Sequence, residues 1–429
     1  MDEVDARVEG LGGDVLLPPR LAGAVTLGAR PAHRDSLPLP GGALLSVFET
    51  DDEVIVAPLV PEADGVRRAL AGDGAYEGIL RAIAGSGATG AFRAVRWGEV
   101  PSGGTERTID VDQSNESVVV GDAAVVKLYP RTGAGPQPGL DLPAHLAAVG
   151  FVEMPRPIGA IVWDDGQGRE ALVASAASYL PGARDGWDWF VELVEGAANG
   201  DVPWAVAEAP ADVIGGLVAR LHLALATPSS VFPEPVTEAR PAAWLDAAEH
   251  TLDEALALTT GPEGDRLRLL ADDARGAIRA LADTPPVAAI RIHGDLHVGQ
   301  ILRWEDGDAI GDFDGNPLAP AGVRVAPGPP ARDVASMARA IDHVGRIVAR
   351  RRPGRADEVA RWIREARARF LAAYRAGLGH DASRLFHEPL LHPLEVAQEC
   401  HEYVYAARYI PRWVYVPDAA LPALLEHGP

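Results

Sequence analysis

The stretch RIHGDLHVGQILRWEDGDAIGDFDG, residues 291–315, holds three side chains whose types and spacing suit one chemistry. Asp295 follows an apolar run that reads as a strand. Gln300 stands five residues after it, and Asp312 closes a second apolar run joined to ILRW by the turn EDGD. Transfer of a phosphoryl group to a hydroxyl needs a carboxylate that orients the hydroxyl and accepts its proton, which is the role of Asp295. It also needs oxygen ligands for a Mg²⁺ bridging the phosphates, here the Gln300 amide oxygen and the Asp312 carboxylate. Mg²⁺ keeps several waters, so two protein ligands are enough. One Asp after a Gly is common in turns, but this spacing between two apolar strands is specific.

His293 and His297 stand four residues apart, as a zinc pair would on a helix. Gly294 and Gly299 argue against a helix there, so we read His293 as locking the loop and His297 as touching the acceptor substrate.

Lys127, in VVKLYP, is the only lysine beside 38 arginines. Lys carries a compact ammonium on a thin stem, whereas Arg carries a wide planar fork. A strand lysine just after a hairpin suits the α- and β-phosphates of ATP. A pattern G-x-G-x-x-G occurs at residues 85–90, but it follows a helical pattern and no lysine is near, so it reads as a flexible linker. The better phosphate-covering turn is DQSNES, residues 112–117. There Ser114, Asn115 and Ser117 can donate hydroxyl, amide and backbone N–H groups to phosphate oxygens. Asp141 and Glu153 are both placed to hold Lys127 by charge, and Asp141 also suits the start of a helix.

The elements that must position these groups fall into two kinds. Up to residue 177 the chain is rich in strand patterns, including ALLSVFET, EVIVAPLV, ESVVVGD, AAVVKLY and EALVASAASYL. A helical pattern spans ADGVRRALAGDGAYEGILRAIAG. Beyond residue 178 long amphipathic patterns dominate, with apolar residues at i, i+3 and i+4. Examples are DVIGGLVARLHLALA, RDVASMARAIDHVGRIVARR and PLEVAQECHEYVYAARYI.

The chain has 429 residues, 47% of them apolar, which is ample for two or three domains with packed cores. One cysteine, Cys400, excludes an internal disulfide and suits a reducing cytoplasm. No signal peptide or membrane-spanning run is expected. A net charge of −22 argues against nucleic acid or an anionic membrane as partner, and is compatible with a cationic small ligand. A monomer is favoured over an oligomer.

The segments SNESVVVGDAAVVKLYPR, HGDLHVGQIL, IGDFDGNPLAP, ARDVASMARAI and EYVYAARYIPRWVYVP together resemble the maltokinase branch of the aminoglycoside-phosphotransferase-like kinases. The resemblance covers most of residues 91–420. It implies an α+β, protein-kinase-like bilobal fold: a small N-terminal α+β cap (1–90), a β-rich N-lobe (91–177) and a mainly helical C-lobe (178–429). It implies ATP and Mg²⁺, Asp295 as catalytic base, Gln300 and Asp312 on the metal, and Asp141 as the partner of Lys127. Adenine would lie against the interlobe segment near Tyr179 and Leu180.

Two departures point to the acceptor. Maltokinases usually carry DFEGEP where this chain has DFDGNP. The E-x-x-x-E-C-H-E-Y pattern at Glu395–Tyr403 resembles the glucosamine kinase subgroup of the branch, which phosphorylates an amino sugar. Glu395, Glu399 and Glu402 are spaced to share one helix face. That face is either solvated or an acidic wall for a sugar ammonium, with Glu399, Glu402 and Asp314 as contacts beside His297. A charge-assisted hydrogen bond there is worth about 1.5–3 kcal/mol, enough to separate glucosamine from glucose. The resemblance therefore implies glucosamine as acceptor, giving the 6-phosphate. Maltose (giving maltose 1-phosphate) and an aminoglycoside antibiotic are the alternatives. A pseudokinase or binding module is disfavoured, because Lys127, Asp295, Gln300 and Asp312 are all present.

Overall fold

A computed structural model describes residues 8, 11–18, 30–50, 53–63, 65–109, 115–133, 135–317 and 319–426. The chain divides into two compact units. The first comprises Met1–Ala147, Met154–Pro181 and Pro317–Val325, and the second Ala148–Glu153, Gly182–Asn316 and Ala326–Pro429. A strand-rich part precedes a helical part, as the α+β reading expects.

The first unit contains two antiparallel sheets. One is built from β1 (Ala32–Pro38), β2 (Leu44–Glu49), β3 (Val54–Glu62), β4 (Gly65–Arg68) and the two-residue β10 (Arg131–Thr132). Helix α1 (Ala75–Gly85) follows β4. The other sheet has seven strands: β5 (Gly87–Thr89), β6 (Phe92–Arg96), β7 (Glu106–Thr108), β8 (Glu116–Val120), β9 (Ala124–Leu128), β11 (Pro157–Asp164) and β12 (Glu170–Ser178). Their order is β5-β6-β11-β12-β9-β8-β7. Helix α2 (Pro138–Ala148) runs between β10 and β11.

One core joins the two sheets. Leu45, Val47 and Val56 of the first sheet pack with Ile79 and Ile83 of α1 and with Val118, Val126 and Trp163 of the second. Each such side chain contributes about 1.5–3 kcal/mol on burial. The Trp163 indole N–H also donates to Asp35 at 2.8 Å. This core draws on described residues from both sides of residue 90, and β10, far along the chain, completes the first sheet on β3. Two local expectations are corrected. The helical pattern expected to begin near residue 63 starts only at Ala75, because Gly65–Arg68 pairs with β3 as a strand and Gly72 and Gly74 follow it at positive φ. Residues 85–90 are not a linker but the end of α1 and a hairpin strand, with Gly90 at φ 59° turning β5 into β6.

The second unit is carried by α3 (Gly186–Asn199), α4 (Trp204–Leu225), α5 (Leu245–Leu258), α6 (Gly261–Arg279), α7 (Ala331–Arg351), α8 (Ala356–Leu378), α9 (Leu391–Arg408) and α10 (Tyr415–Glu426). Two small antiparallel pairs accompany them, β13 (Thr237–Ala239) with β14 (Val287–Ala289) and β15 (Ile301–Trp304) with β16 (Gly307–Ile310). Helix α7 is buried along most of its length and carries Asp333, Arg339, Asp342 and His343 inside. Cys400 is also interior, and burial pushes its thiol pKa up to about 12, so it is a core residue and not a nucleophile. No helix among the described residues is long and apolar enough to cross a membrane.

Candidate active site

The loop between β14 and β15 is held from beneath by the start of α7. Asp333, 2% exposed, accepts the backbone N–H of His293 at 2.8 Å and that of Gly294 at 2.9 Å. His222 Nε2 lies 3.2 Å from the same carboxylate, and its Nδ1 lies 2.8 Å from the Tyr374 hydroxyl. Burial alone would raise the Asp333 pKa, but His222 and the donated N–H groups hold it below the usual carboxylate range. His293 is buried, and its Nε2 lies 2.9 Å from the Gly311 carbonyl, so this histidine ties the loop to the end of β16. That is the locking role expected of it. Gly294 sits at φ 80°, a left-handed conformation that favours glycine, and lets the loop lie against Gly315.

The β15–β16 hairpin then brings the two metal candidates together. Ile301 pairs with Ile310, and Gly311 N–H donates to the Gln300 carbonyl at 2.9 Å, so Gln300 and Asp312 flank the mouth of one hairpin. Asp312 has φ 58°, a strained backbone for a non-glycine residue, of the kind found where a side chain is aimed for function. Its side chain is exposed. Two oxygen donors suit Mg²⁺, a hard cation that retains water. Among the described residues no three His, Cys, Asp or Glu side chains converge into a closed metal cage.

Asp295 lies in the same electrostatic neighbourhood. Its pKa is raised, first by burial and then by Asp312, against opposing contributions from His297, His293 and His401. His297 caps the 3₁₀ turn that carries Gln300, accepting the Gly299 N–H at Nδ1 (3.1 Å), and its Nε2 lies 3.3 Å from Gln300 Nε2. Its ring stacks on Trp187 at 5.9 Å between centroids. Glycine at 299 makes this possible, because a Cβ there would lie 2.7 Å from the Trp187 ring.

The remaining acceptor candidates come from α9 and its surroundings. Glu402 is partly exposed, receives the Trp413 indole N–H at 3.1 Å and is bonded by Gln398 at 3.1 Å. Trp413 meets Trp187 edge to face at 5.8 Å. Asn316 Nδ2 lies 3.3 Å from His401 Nε2, and Asp314 is two residues before it, partly exposed. The expected acidic stripe is not one surface. Glu395 and Glu399 are fully buried. Glu395 accepts from Arg339 and Arg367, and Glu399 Oε1 lies 2.9 Å from His343 Nε2. Burial holds the Glu399 carboxyl above its ordinary range despite His343. Glu399 therefore does not line an open acceptor wall, because cations from α7 and α8 draw this face inward, and only Glu402 reaches the open side. Trp187, Asn316, His401 and Trp413 were not identified from the sequence. The available signal was aromatic: Trp187 opens GWDWF, and Trp413 lies in YIPRWVYVP.

The nucleotide candidates lie in the first unit. Lys127 on β9 is directly opposite Ser117 on β8 and Ser175 on β12, so the three share one sheet face. The Lys127 ammonium sits 5.6 Å from the centre of the Tyr129 ring. The expected phosphate turn connects β7 to β8, which pair as a hairpin. Asn115 immediately precedes β8, and Ser114 lies outside the described residues. Asp141, in the first turn of α2, lines a cavity of about 350 Å³ with Val162, Leu172 and Glu170. Glu153, the other candidate partner of Lys127, pairs with Arg220 at 2.6 Å in the second unit. Tyr179 follows β12, its N–H bonded to the Ala123 carbonyl and its ring 4.7 Å beneath the Arg107 guanidinium. Leu180 beside it is buried.

A model of a phosphotransferase enzyme family matches residues 105–387. A glucosamine kinase of Streptacidiphilus jiangxiensis is 45% identical over 397 residues, 90% of this chain and 89% of that protein. One of Mycolicibacterium smegmatis is 40% identical over 402 residues, 92% of this chain and 98% of that protein. Among solved structures, a glucosamine kinase in complex with glucosamine, ADP and inorganic phosphate superposes with a TM-score of 0.82 at 39% identity, covering 98% of this chain and 99% of that one.

Proposed function

This chain belongs to the phosphotransferase enzyme family, alongside the glucosamine kinases, and we propose that it transfers the γ-phosphoryl group of ATP to the 6-hydroxyl of D-glucosamine. The observation that carries this reading is the full-length likeness to a glucosamine- and ADP-bound kinase, in a chain that keeps Lys127, Asp295, Gln300 and Asp312.

In this mechanism Asp295 orients the acceptor hydroxyl and takes its proton as the oxygen attacks. Its raised pKa favours that transfer, because a more basic carboxylate holds the proton better. Lys127, held by Asp141, binds the α- and β-phosphates. Ser114, Asn115 and Ser117 cover the phosphates, and Tyr179 and Leu180 receive the adenine. Gln300 and Asp312 would hold Mg²⁺, which when bound would supply neutralising charge on the phosphate oxygens. On the acceptor side Glu402 takes the ammonium of the sugar, while His297 and Asp314 receive its hydroxyls and Trp187 and Trp413 wall the ring. A single thiol, buried, suits a reducing cytoplasm.

The test is ADP release with ATP and Mg²⁺ against glucosamine, N-acetylglucosamine, glucose, maltose and kanamycin. Preference for glucosamine, lost on N-acetylation, is the expected result. Preference for maltose or kanamycin would replace the acceptor assignment while leaving the phosphoryl-transfer chemistry in place.

A further inference from the structure

Helix α7 carries a buried charged network that the mechanism above does not use. Arg339 pairs with Asp342 and Glu395, Arg346 with Asp342, and Arg367 with Glu395. With Glu399 this gives three arginines and three carboxylates, a set that neutralises itself inside the protein. His343, 2% exposed, stands apart from that balance because it faces two ways. Its Nε2 lies 2.9 Å from Glu399 Oε1. Its ring also meets the Trp413 indole edge to face, with centroids 6.1 Å apart and planes at 87°. Trp413 in turn donates its N–H to Glu402 at 3.1 Å. A continuous line thus runs from buried Glu399 through His343 and Trp413 to the partly exposed Glu402.

The physics of each link favours one orientation. A buried carboxylate requires a donor, so Glu399 fixes the imidazole. An edge-to-face aromatic pair prefers a defined relative angle, so the imidazole biases the indole. The indole N–H is a single directional donor, so its setting, together with the Gln398 amide on the other oxygen, orients the Glu402 carboxylate.

We propose that His343 is a positioning residue for acceptor recognition, setting Trp413 and through it the carboxylate of Glu402 that meets the amino group of the sugar. Glu399 acts on the acceptor through this histidine. The inference rests on the reading of Glu402 given under the proposed function, and its test separates the two.

The variants are H343Q, E402Q and the double substitution, measured for KM of glucosamine, KM of ATP, kcat and melting temperature. H343Q keeps an N–H near the place of imidazole Nε2, so Glu399 retains a donor, and it removes the ring from Trp413. The expected result is a rise of about three- to tenfold in glucosamine KM. ATP KM and kcat should stay within about twofold, and in the E402Q background H343Q should add less than about twofold. A core residue without a positioning role would shift melting temperature and act additively with E402Q, which overturns the inference. So does an unchanged glucosamine KM in H343Q. If E402Q itself leaves glucosamine KM unchanged, the acceptor reading fails and this inference with it. If E402Q raises it and H343Q does not, this inference alone fails. A second variant guards against loss of folding: W413F keeps a ring against His343 and removes the N–H that reaches Glu402. It should raise glucosamine KM by about three- to tenfold, with H343Q adding less than about twofold to it, and an unchanged glucosamine KM in W413F overturns the proposal.

Discussion

The carboxylate of Asp333 accepts the backbone N–H of His293 at 2.8 Å, from a position 40 residues further along the chain. The loop that carries Asp295 therefore takes its shape from the first turn of α7 and not only from its own sequence. Asp333→Asn puts an amide where two N–H donors converge. It should cost about 1.5–3 kcal/mol of stability and lower kcat more than the KM of either substrate. Because the Asp333 pKa is depressed on folding, its stabilisation is present above the ordinary carboxylate range and is lost as pH falls through the folded value. The difference in melting temperature between wild type and variant should then shrink on acidification. A gap that is constant with pH would mean the charge on Asp333 is not what holds the loop.

Asp295 has the opposite sign. Its pKa is raised by burial and by Asp312, so the folded protein disfavours the charged form that the reaction needs. The neutral form contributes stability below the ordinary carboxylate range, and this is lost as pH rises through the folded pKa. Asp295→Asn should therefore abolish turnover, retain ATP binding and melt higher than wild type at neutral pH, with the advantage vanishing in acid. The acid limb of kcat/KM in the wild type should fall above the usual carboxylate range. Calorimetry with a pH series, beside ADP-release kinetics, reads both effects. Substantial turnover by the variant would remove the assigned role of Asp295.

The sequence made one part of this site legible and concealed another. Asp295, Gln300 and Asp312 were visible because a loop and a hairpin close in sequence position all three. Lys127 was visible because a lone lysine on a strand is unusual in a chain that otherwise uses arginine. The E-x-x-x-E-x-x-E spacing of Glu395, Glu399 and Glu402 led to the expectation of one shared face. It could not reveal that Arg339, His343 and Arg367 on other helices face the first two. Trp187 and Trp413 were missed for the same reason, since they are far apart in sequence and only the fold brings their rings to 5.8 Å. The strand at Gly65–Arg68 lay hidden because its residues also fit the helical pattern that continues into α1, although its partner, Leu59–Glu62 at the end of β3, is its neighbour in sequence.

Glu399 and Glu402 should respond differently to the same change. Glu402→Gln removes the charge and leaves an amide whose one oxygen replaces the two that accept from Trp413 and Gln398. It should raise the KM of glucosamine by about ten- to a hundredfold, with a much smaller effect on glucose. Glu399→Gln removes a charge from a buried balanced set, so its main effect should be a lower melting temperature, as expected when one partner of a buried pair is lost. Measuring both sugars and both melting curves separates the residues. Equal shifts for glucosamine and glucose in Glu402→Gln would place the ammonium elsewhere.

Lys127 offers a test confined to the nucleotide. It stands between Ser117 and Ser175 on one face of the sheet, where a narrow ammonium fits beside the Tyr129 ring. Arginine would bring a planar fork that is wider and less easily rotated into the same space. Lys127→Ala should raise the KM of ATP by about ten- to a hundredfold, the worth of a hydrogen bond to a charged group. Lys127→Arg should restore less than half of that loss on a free-energy scale, although it restores the charge. The KM of glucosamine should hold steady in both variants. ATP titration of the two proteins, read by ADP release and by nucleotide-dependent melting, decides the point. A Lys127→Arg protein with wild-type ATP affinity would show that charge alone matters and that the single lysine of this chain is incidental.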